Sequence, residues 1–226
     1  WVFHLASLAE IIPSIKNPVD YLNTNLSGTQ NILEIFREKK IKKFIYAASA
    51  SCYGIPEKFP TNEISKIDPK YPYALSKYLG EELVMSWAKI YKMPNISMRF
   101  FNVYGQRSRT TGAYGAVFGV FLAQKFHDVP LTIVGDGNQT RDFIHVDDLT
   151  DALIKAAASK YKNRIYNVAG GKEISVNFIS KCISNKFVKI KKRPGEPDRS
   201  LADIKKIKKE LKWKPKISIS KGINRL

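Results

Sequence analysis

Apolar runs that give way to small or polar residues recur through the first half of the chain, and helical periodicity fills the intervals between them. Residues 2–6 are mostly apolar and end in small residues, which predicts a buried parallel strand running into its loop. Pro13 and Pro18 bracket a loop or short turn, after which Leu22, Leu26, Ile32, Leu33 and Phe36 fit one long helix over residues 19–40. Residues 44–48 repeat the strand pattern and pass into Ser49-Ala50-Ser51-Cys52-Tyr53-Gly54. A polar, proline-containing loop over 55–69, placed to cover a site, leads to an amphipathic helix from Tyr71 to near Met93. A third strand starts at Ile96 and runs into the polar, glycine-terminated loop Asn102-Val103-Tyr104-Gly105. Three strand-to-loop junctions thus carry polar groups, and strand ends are where open α/β sheets place their ligands.

Beyond Asn102 the alternation changes. Residues 106–112 are polar, 116–126 form an apolar helix, and 131–134 form a strand ending in Gly135-Asp136-Gly137-Asn138. That turn predicts a hairpin whose second strand begins near Thr140. A helix over 147–158 opens with Asp147 and Asp148, acids suited to a helix N-terminus. A strand at Tyr166, a helix from Val176 to about Lys186 and a helix over 203–211 complete the pattern.

With 44% hydrophobic and 26% charged residues, the 226 residues have an ordinary globular composition and can bury a sizeable core. No apolar run approaches the roughly 18 residues of a membrane span, and a cytoplasmic protein without a membrane partner is expected. Cys52 and Cys182 lie in unrelated segments, and His4, His127 and His145 are equally scattered, so neither a disulfide framework nor a metal site is predicted. The formal charge of +18 admits a nucleic acid, an anionic lipid or an anionic small ligand. Its lysines are densest between Lys186 and Lys216, where apolar residues alternate with them and no base-stacking pattern appears. That distribution favours a solvated surface over a nucleic-acid partner. The chain opens at Trp1 inside what reads as an interior strand, and GxGxxG is absent, so a fragment lacking a first βαβαβ portion is expected.

The candidate chemistry centres on Tyr73 and Lys77. An i,i+4 pair shares one helix face, and a neighbouring ammonium would lower a phenol pKa from roughly 10 toward a value useful for proton transfer. Two common residues at this spacing also occur as an exposed helix pair, so the upstream serine segment and the downstream asparagine loop matter. Taken together, Ser49, the Tyr73-x-x-x-Lys77 motif and Phe101-Asn102-Val103 resemble, in order and spacing, the extended short-chain dehydrogenase/reductase family and its nucleotide-sugar 4-epimerases.

The resemblance implies an α/β fold: a Rossmann-type doubly wound parallel sheet, its first part missing, with an interleaved smaller α+β substrate-binding lobe. Residues 1–105 would be the remainder of the NAD-binding domain. Residues 106–226 would be mostly the lobe, with segments near 140–170 returning to the sheet, and the C-terminus is expected to be cut as well. It implies Ser49, Tyr73 and Lys77 as catalytic residues, with Tyr73 the acid/base and Lys77 on the nicotinamide ribose. Ala6, in a His-x-Ala-Ala-like segment whose last position is Ser7, joins Asn25, Ala48, Phe101 and Val103 in holding NAD. Ser49, Ser51, Asn102, Ala116, Arg141, Arg193, Glu196 and Ser200 would contact a UDP-sugar, with Arg141 and Arg193 on its diphosphate and the Asp147-Asp148 pair capping the next helix.

Related dehydratases carry an Asp-Glu pair after the hydroxyl residue, and decarboxylating relatives a Glu. Here Ala50 and Ser51 stand there, so 4-epimerisation is preferred. In the resembling epimerases the positions of Ser200 and Ala116 wall the hexose pocket, and small residues there leave room for an N-acetyl group, so the resemblance points to UDP-N-acetylglucosamine and UDP-N-acetylgalactosamine beside UDP-glucose and UDP-galactose. UDP-glucuronate 4-epimerisation, another dehydratase or reductase chemistry of the family, and a non-catalytic nucleotide-sugar-binding homologue stay open. The family resemblance also implies a homodimer.

Overall fold

The computed structural model describes residues 1–108, 110, 117–191 and 197–226. Its strands are β1 (Val2–His4), β2 (Phe44–Ser49), β3 (Asn95–Phe100), β4 (Asn102–Tyr104), β5 (Leu131–Val134), β6 (Thr140–His145), β7 (Arg164–Val168), β8 (Glu173–Ser175) and β9 (Phe187–Ile190). Its α-helices are α1 (Ile11–Lys16), α2 (Pro18–Leu22), α3 (Gly28–Arg37), α4 (Pro72–Ile90), α5 (Val117–Phe126), α6 (Val146–Ala158), α7 (Val176–Ile183), α8 (Lys205–Leu211) and α9 (Ile219–Ile223). Strands β1, β2, β3 and β7 form one parallel sheet in that order.

Side chains alternate across a strand, and β2 shows what that does here. Phe44, Tyr46 and Ala48 pack with Leu33 of α3 and Val84 of α4, while Ile45 joins Leu149, Ala152, Leu153 and Ala156 of α6 on the other face. With helices on both faces, β2 is apolar from Phe44 to Ala48 and turns polar only at Ser49, its end, which is why the strand reads as a hydrophobic run. Helix α4 opens on Pro72, whose missing N–H has no intrahelical partner to lose. At Gly80 a Cβ would meet the Tyr46 hydroxyl, so the helix lies on β2 more closely than any side chain would permit. A second apolar cluster joins α5, β5, α7 and α9 through Phe118, Phe121, Leu131, Ile133, Ile179 and Ile223.

Three expectations are corrected. The single helix over 19–40 is instead α2, a wider π-type turn at Asn23–Ser27, and α3, and α1 occupies the segment expected to be loop. Both prolines sit in the first turns of α1 and α2, where their lack of an N–H is harmless. The Gly135–Asn138 turn makes no hairpin: β5 pairs in parallel with β9, whereas β6 pairs with β4 and β8. Its bonds go to the turn itself and to α7, because Asp136 accepts from Asn138 N–H and the Gly137 carbonyl accepts from Asn177 N–H, and the chain departs from the β5 sheet. Finally, Asp147 and Asp148 do not cap α6. They stand one and two residues inside it, and the cap is His145, whose Nδ1 accepts from Asp147 N–H at 3.2 Å. Asp148 instead accepts from the backbone N–H groups of Lys216 and Ile217 at 2.9–3.0 Å, fastening the C-terminal strap.

Candidate active site

Because β1, β2 and β3 run parallel, their carboxyl ends share one edge of the sheet. Ala6 lies two residues past the His4–Tyr46 pair, Ala48 and Ser49 end β2, and Phe101 follows the Ser49–Phe100 pair. Helix α4 returns along this edge with Tyr73 and Lys77 in its first two turns. Asn25 is pinned beneath them: its Oδ1 accepts from Leu8 N–H at 2.8 Å, and its Nδ2 donates to Leu8 O and to Ser76 Oγ, both at 2.9 Å. One buried amide therefore ties the loop after β1 to the helix bearing Tyr73 and Lys77. The π-type turn supplies its inward orientation.

Ser49 caps the short 3-10 turn Ala50–Tyr53. Its Oγ receives Ser51 N–H at 3.2 Å and the Ser51 hydroxyl at 2.8 Å. Gly54 then turns the chain at φ 63°, where a Cβ would meet the Asp68 carbonyl. Tyr73 lies against Ser49, and its edge meets the Tyr21 ring at a centroid distance of 6.4 Å. Burial pushes the Tyr73 phenol above its ordinary value, and the Ser49 hydroxyl pulls it part of the way back.

Lys77 is not placed as expected for an effect on Tyr73. The Lys77 ammonium is turned onto the Tyr46 ring, 4.6 Å from its centroid, and burial lowers its pKa to about 8. The nearest carboxylate along the helix, Glu81, is already engaged: Arg99 Nε and Nη2 donate to it at 3.1 and 2.5 Å, and Ser97 Oγ at 2.7 Å. Arg99 Nη1 also donates to Tyr53 Oη at 2.8 Å and to Glu63 O at 3.0 Å. A single guanidinium thus joins α4, the turn after Ser49 and the 55–69 loop. Sequence reading missed this set, since an arginine and a glutamate 18 residues apart carry no spacing signal. Cys52, buried beside it, has its thiol pushed up to about 12 and is no nucleophile at neutral pH.

A second group gathers around β6. Asn102 pairs with Phe143 across β4 and β6, Val103 pairs with Ile144, and Arg141 Nη1 donates to Thr140 O. Segment 198–202 runs beside this strand, held by Thr140 N–H on Asp198 O at one end and Ala202 N–H on Asp142 Oδ2 at the other. Half-buried Ser200 thus lies on a segment fastened along β6, the strand that carries Arg141, although 59 positions separate the two in sequence. Asp142, fully buried, also accepts Gly171 N–H at 2.9 Å, and burial raises its pKa to about 6 against the pull of these backbone donors. The 55–69 loop is stitched to the same segment, with Thr61 N–H on Leu201 O and Asp203 N–H on Thr61 O. Ala116, Arg193 and Glu196 lie outside the described residues.

The family model described as GDP-mannose 4,6 dehydratase matches residues 1–226. The chain belongs to this family. One relative, a putative UDP-glucose 4-epimerase of Methanocaldococcus jannaschii, is 38% identical over 232 residues, covering 100% of this chain and 75% of the relative. Among solved structures, the UDP-N-acetylglucosamine 4-epimerase of Methanobrevibacter ruminantium in complex with UDP-N-acetylmuramic acid superposes with a TM-score of 0.95. It is 32% identical, and the match covers 99% of this chain and 74% of that one. The UDP-glucuronic acid 4-epimerase of Bacillus cereus, in complex with UDP-glucuronic acid and NAD, gives 0.90 at 31% identity, covering 98% and 72%. This member of the GDP-mannose 4,6 dehydratase family therefore resembles epimerases over nearly its whole length.

Proposed function

We propose that the protein is an NAD-dependent 4-epimerase of UDP-hexoses. The observation that carries this is Ser49 against Tyr73, with Lys77 one turn along α4, at the carboxyl edge of a parallel sheet and with no carboxylate at positions 50 and 51. Dehydration and decarboxylation need a further acid or base there, and Ala50 and Ser51 supply none. The epimerase activities named for the relatives and the NAD named for one of them support the same reading.

The donor set fits a nicotinamide riboside. Lys77 is buried with a ring face beside it and, among the described residues, no carboxylate paired with it, so its N–H groups are available to ribose hydroxyls. Ala6, Ala48, Phe101 and Val103 supply small and apolar walls, and Asn25 keeps the floor in place. When bound, NAD supplies reversible oxidation at sugar C4. Tyr73 takes the proton from the 4-hydroxyl and returns it, with Ser49 donating to the phenolate while the base is charged. Arg141, and Arg193 with it, hold the diphosphate, since guanidinium forks match phosphate oxygens. The sugar can then present either face at C4 without leaving. Asn102, Ser51 and Glu196 complete the substrate contacts in this reading.

The hexose is assigned from Ser200. A small residue on the segment fastened along β6 leaves space at sugar C2, as Ala116 does in the sequence, so UDP-N-acetylglucosamine and UDP-N-acetylgalactosamine are interconverted in addition to UDP-glucose and UDP-galactose. Exposed Ile35 on α3 and Leu75 and Ile90 on α4 favour pairing of two copies. The test is epimerisation by the full chain with NAD, using UDP-N-acetylglucosamine, UDP-glucose and UDP-glucuronate side by side. Tyr73→Phe is expected to abolish turnover while sugar-nucleotide binding persists. Ser200→Tyr is expected to remove N-acetylhexosamine turnover and spare plain hexoses. Turnover of UDP-glucuronate alone would overturn the sugar assignment, and tight NAD binding without turnover would favour a non-catalytic homologue.

A further inference from the structure

Ser49 Oγ has one proton to give and two lone pairs to accept with. Ser51 addresses it twice, from its backbone N–H at 3.2 Å and from its own hydroxyl at 2.8 Å. The backbone donor is fixed by the 3-10 turn and occupies one acceptor site in every state. The hydroxyl bond can run either way while Tyr73 carries its proton, but a phenolate can only accept. Once Tyr73 is charged, Ser49 must turn its proton toward the phenolate, and the bond between the two serines must then run from Ser51 to Ser49.

We propose that Ser51 is a positioning residue which, through its two bonds to Ser49 Oγ, holds the Ser49 proton on Tyr73 whenever Tyr73 acts as the base. The proposal deepens the epimerase reading and rests on it for its consequence in turnover. No covalent step is added. Ser51 keeps its proton, and only the direction of one hydrogen bond is set. The arrangement also gives position 51 work that a carboxylate could not do, because an ionised side chain there would have no proton to give to Ser49.

Several groups face Tyr73 from the elements around it: Tyr21 of α2, Tyr46 of β2, Cys52 of the turn after Ser49, and Lys77 on α4 itself. Burial pushes the pKa values of Tyr46 and Cys52 up, and Lys77 is turned onto Tyr46. The serine chain is therefore the contact through which the charged phenol is stabilised in the free protein.

The experiment reads Tyr73 directly. The full chain and its Ser51→Ala, Ser51→Thr and Tyr73→Phe variants are titrated through the near-ultraviolet phenolate absorbance, and the difference from Tyr73→Phe isolates Tyr73. The midpoint is expected to rise by about one pH unit in Ser51→Ala and to return in Ser51→Thr, which keeps the hydroxyl. An unchanged midpoint in Ser51→Ala overturns the proposal. Should that variant not fold, Ser51→Cys, a weaker donor, is read the same way. In turnover, the acid limb of kcat should move up in Ser51→Ala, beside any rise in KM from the substrate contact proposed for Ser51. A raised KM with a stationary limb would make Ser51 a substrate contact only and overturn the positioning role. A shifted midpoint in a protein that epimerises no UDP-hexose would sustain the Ser51 role and sink the functional reading, so the two failures are distinct.

Discussion

Lys77 is 3% exposed and rests against a ring face, so its charge is held in the free protein at the expense of stability. Its folded pKa, about 8, lies below the ordinary 10.5. Between those values the unfolded chain binds more protons than the folded one, so stability is expected to rise with pH through that window, by on the order of 3 kcal/mol. Below pH 8 the penalty is fully present. Lys77→Met is therefore expected to raise the melting temperature at pH 7, to flatten this pH dependence and to lose NAD affinity. Thermal unfolding across pH with a parallel NAD titration checks it, and a variant that melts lower at pH 7 would contradict the account. Tyr73, Lys77 and Ser49 were singled out by their motifs' resemblance to the family, the Tyr73 and Lys77 spacing alone being common. Where the ammonium points was not, because the Tyr46 ring that attracts it is 31 positions away.

At the scale of elements, the join between α4 and the sheet depends on a buried ion pair. Arg99 and Glu81 are 3% and 1% exposed, and each has further bonds to Tyr53, Glu63 and Ser97. Removing one partner leaves the other charged in a dry site. Arg99→Met is expected to cost about 3–5 kcal/mol, whereas the double variant Arg99→Met with Glu81→Leu recovers much of that loss. Urea unfolding of Arg99→Met, Glu81→Leu and the double variant measures it, and additive losses in the double variant would show that the pair is not coupled. Strands and long helices of this layer were readable because both β2 faces are covered and α4 repeats its apolar positions. The π-type turn was not, since one inserted residue leaves the local periodicity almost unchanged yet decides which way Asn25 faces.

Across the whole molecule, the proposed substrate side draws on segments far apart in the chain. The Asp142 carboxylate and the Thr140 N–H fasten segment 198–202, which carries Ser200, along β6, which carries Arg141 and pairs with the strand of Asn102. In the proposed reading Arg141 anchors the diphosphate, and such an anchor holds ground and transition states alike. Arg141→Ala and Arg193→Ala are therefore expected to raise KM about tenfold or more with a smaller loss in kcat, and steady-state kinetics with equal losses in kcat at unchanged KM would make them catalytic instead. Lysines crowd the exterior of α8 while Ile207, Leu211 and Trp213 turn inward, so much of the +18 charge is spread over solvent-facing positions. The sequence by itself determined the α/β alternation, the Ser49, Tyr73 and Lys77 constellation and the family, because each depends on residues near one another along the chain or on motifs in fixed order. Only the tertiary structure decided which strand β5 joins, what caps α6, what Asp142 and Arg99 hold, and that Ser51 addresses Ser49 twice. Those outcomes depend on which backbone donors and buried charges meet after folding, and such partners are chosen by proximity in space, which no local pattern of residues encodes.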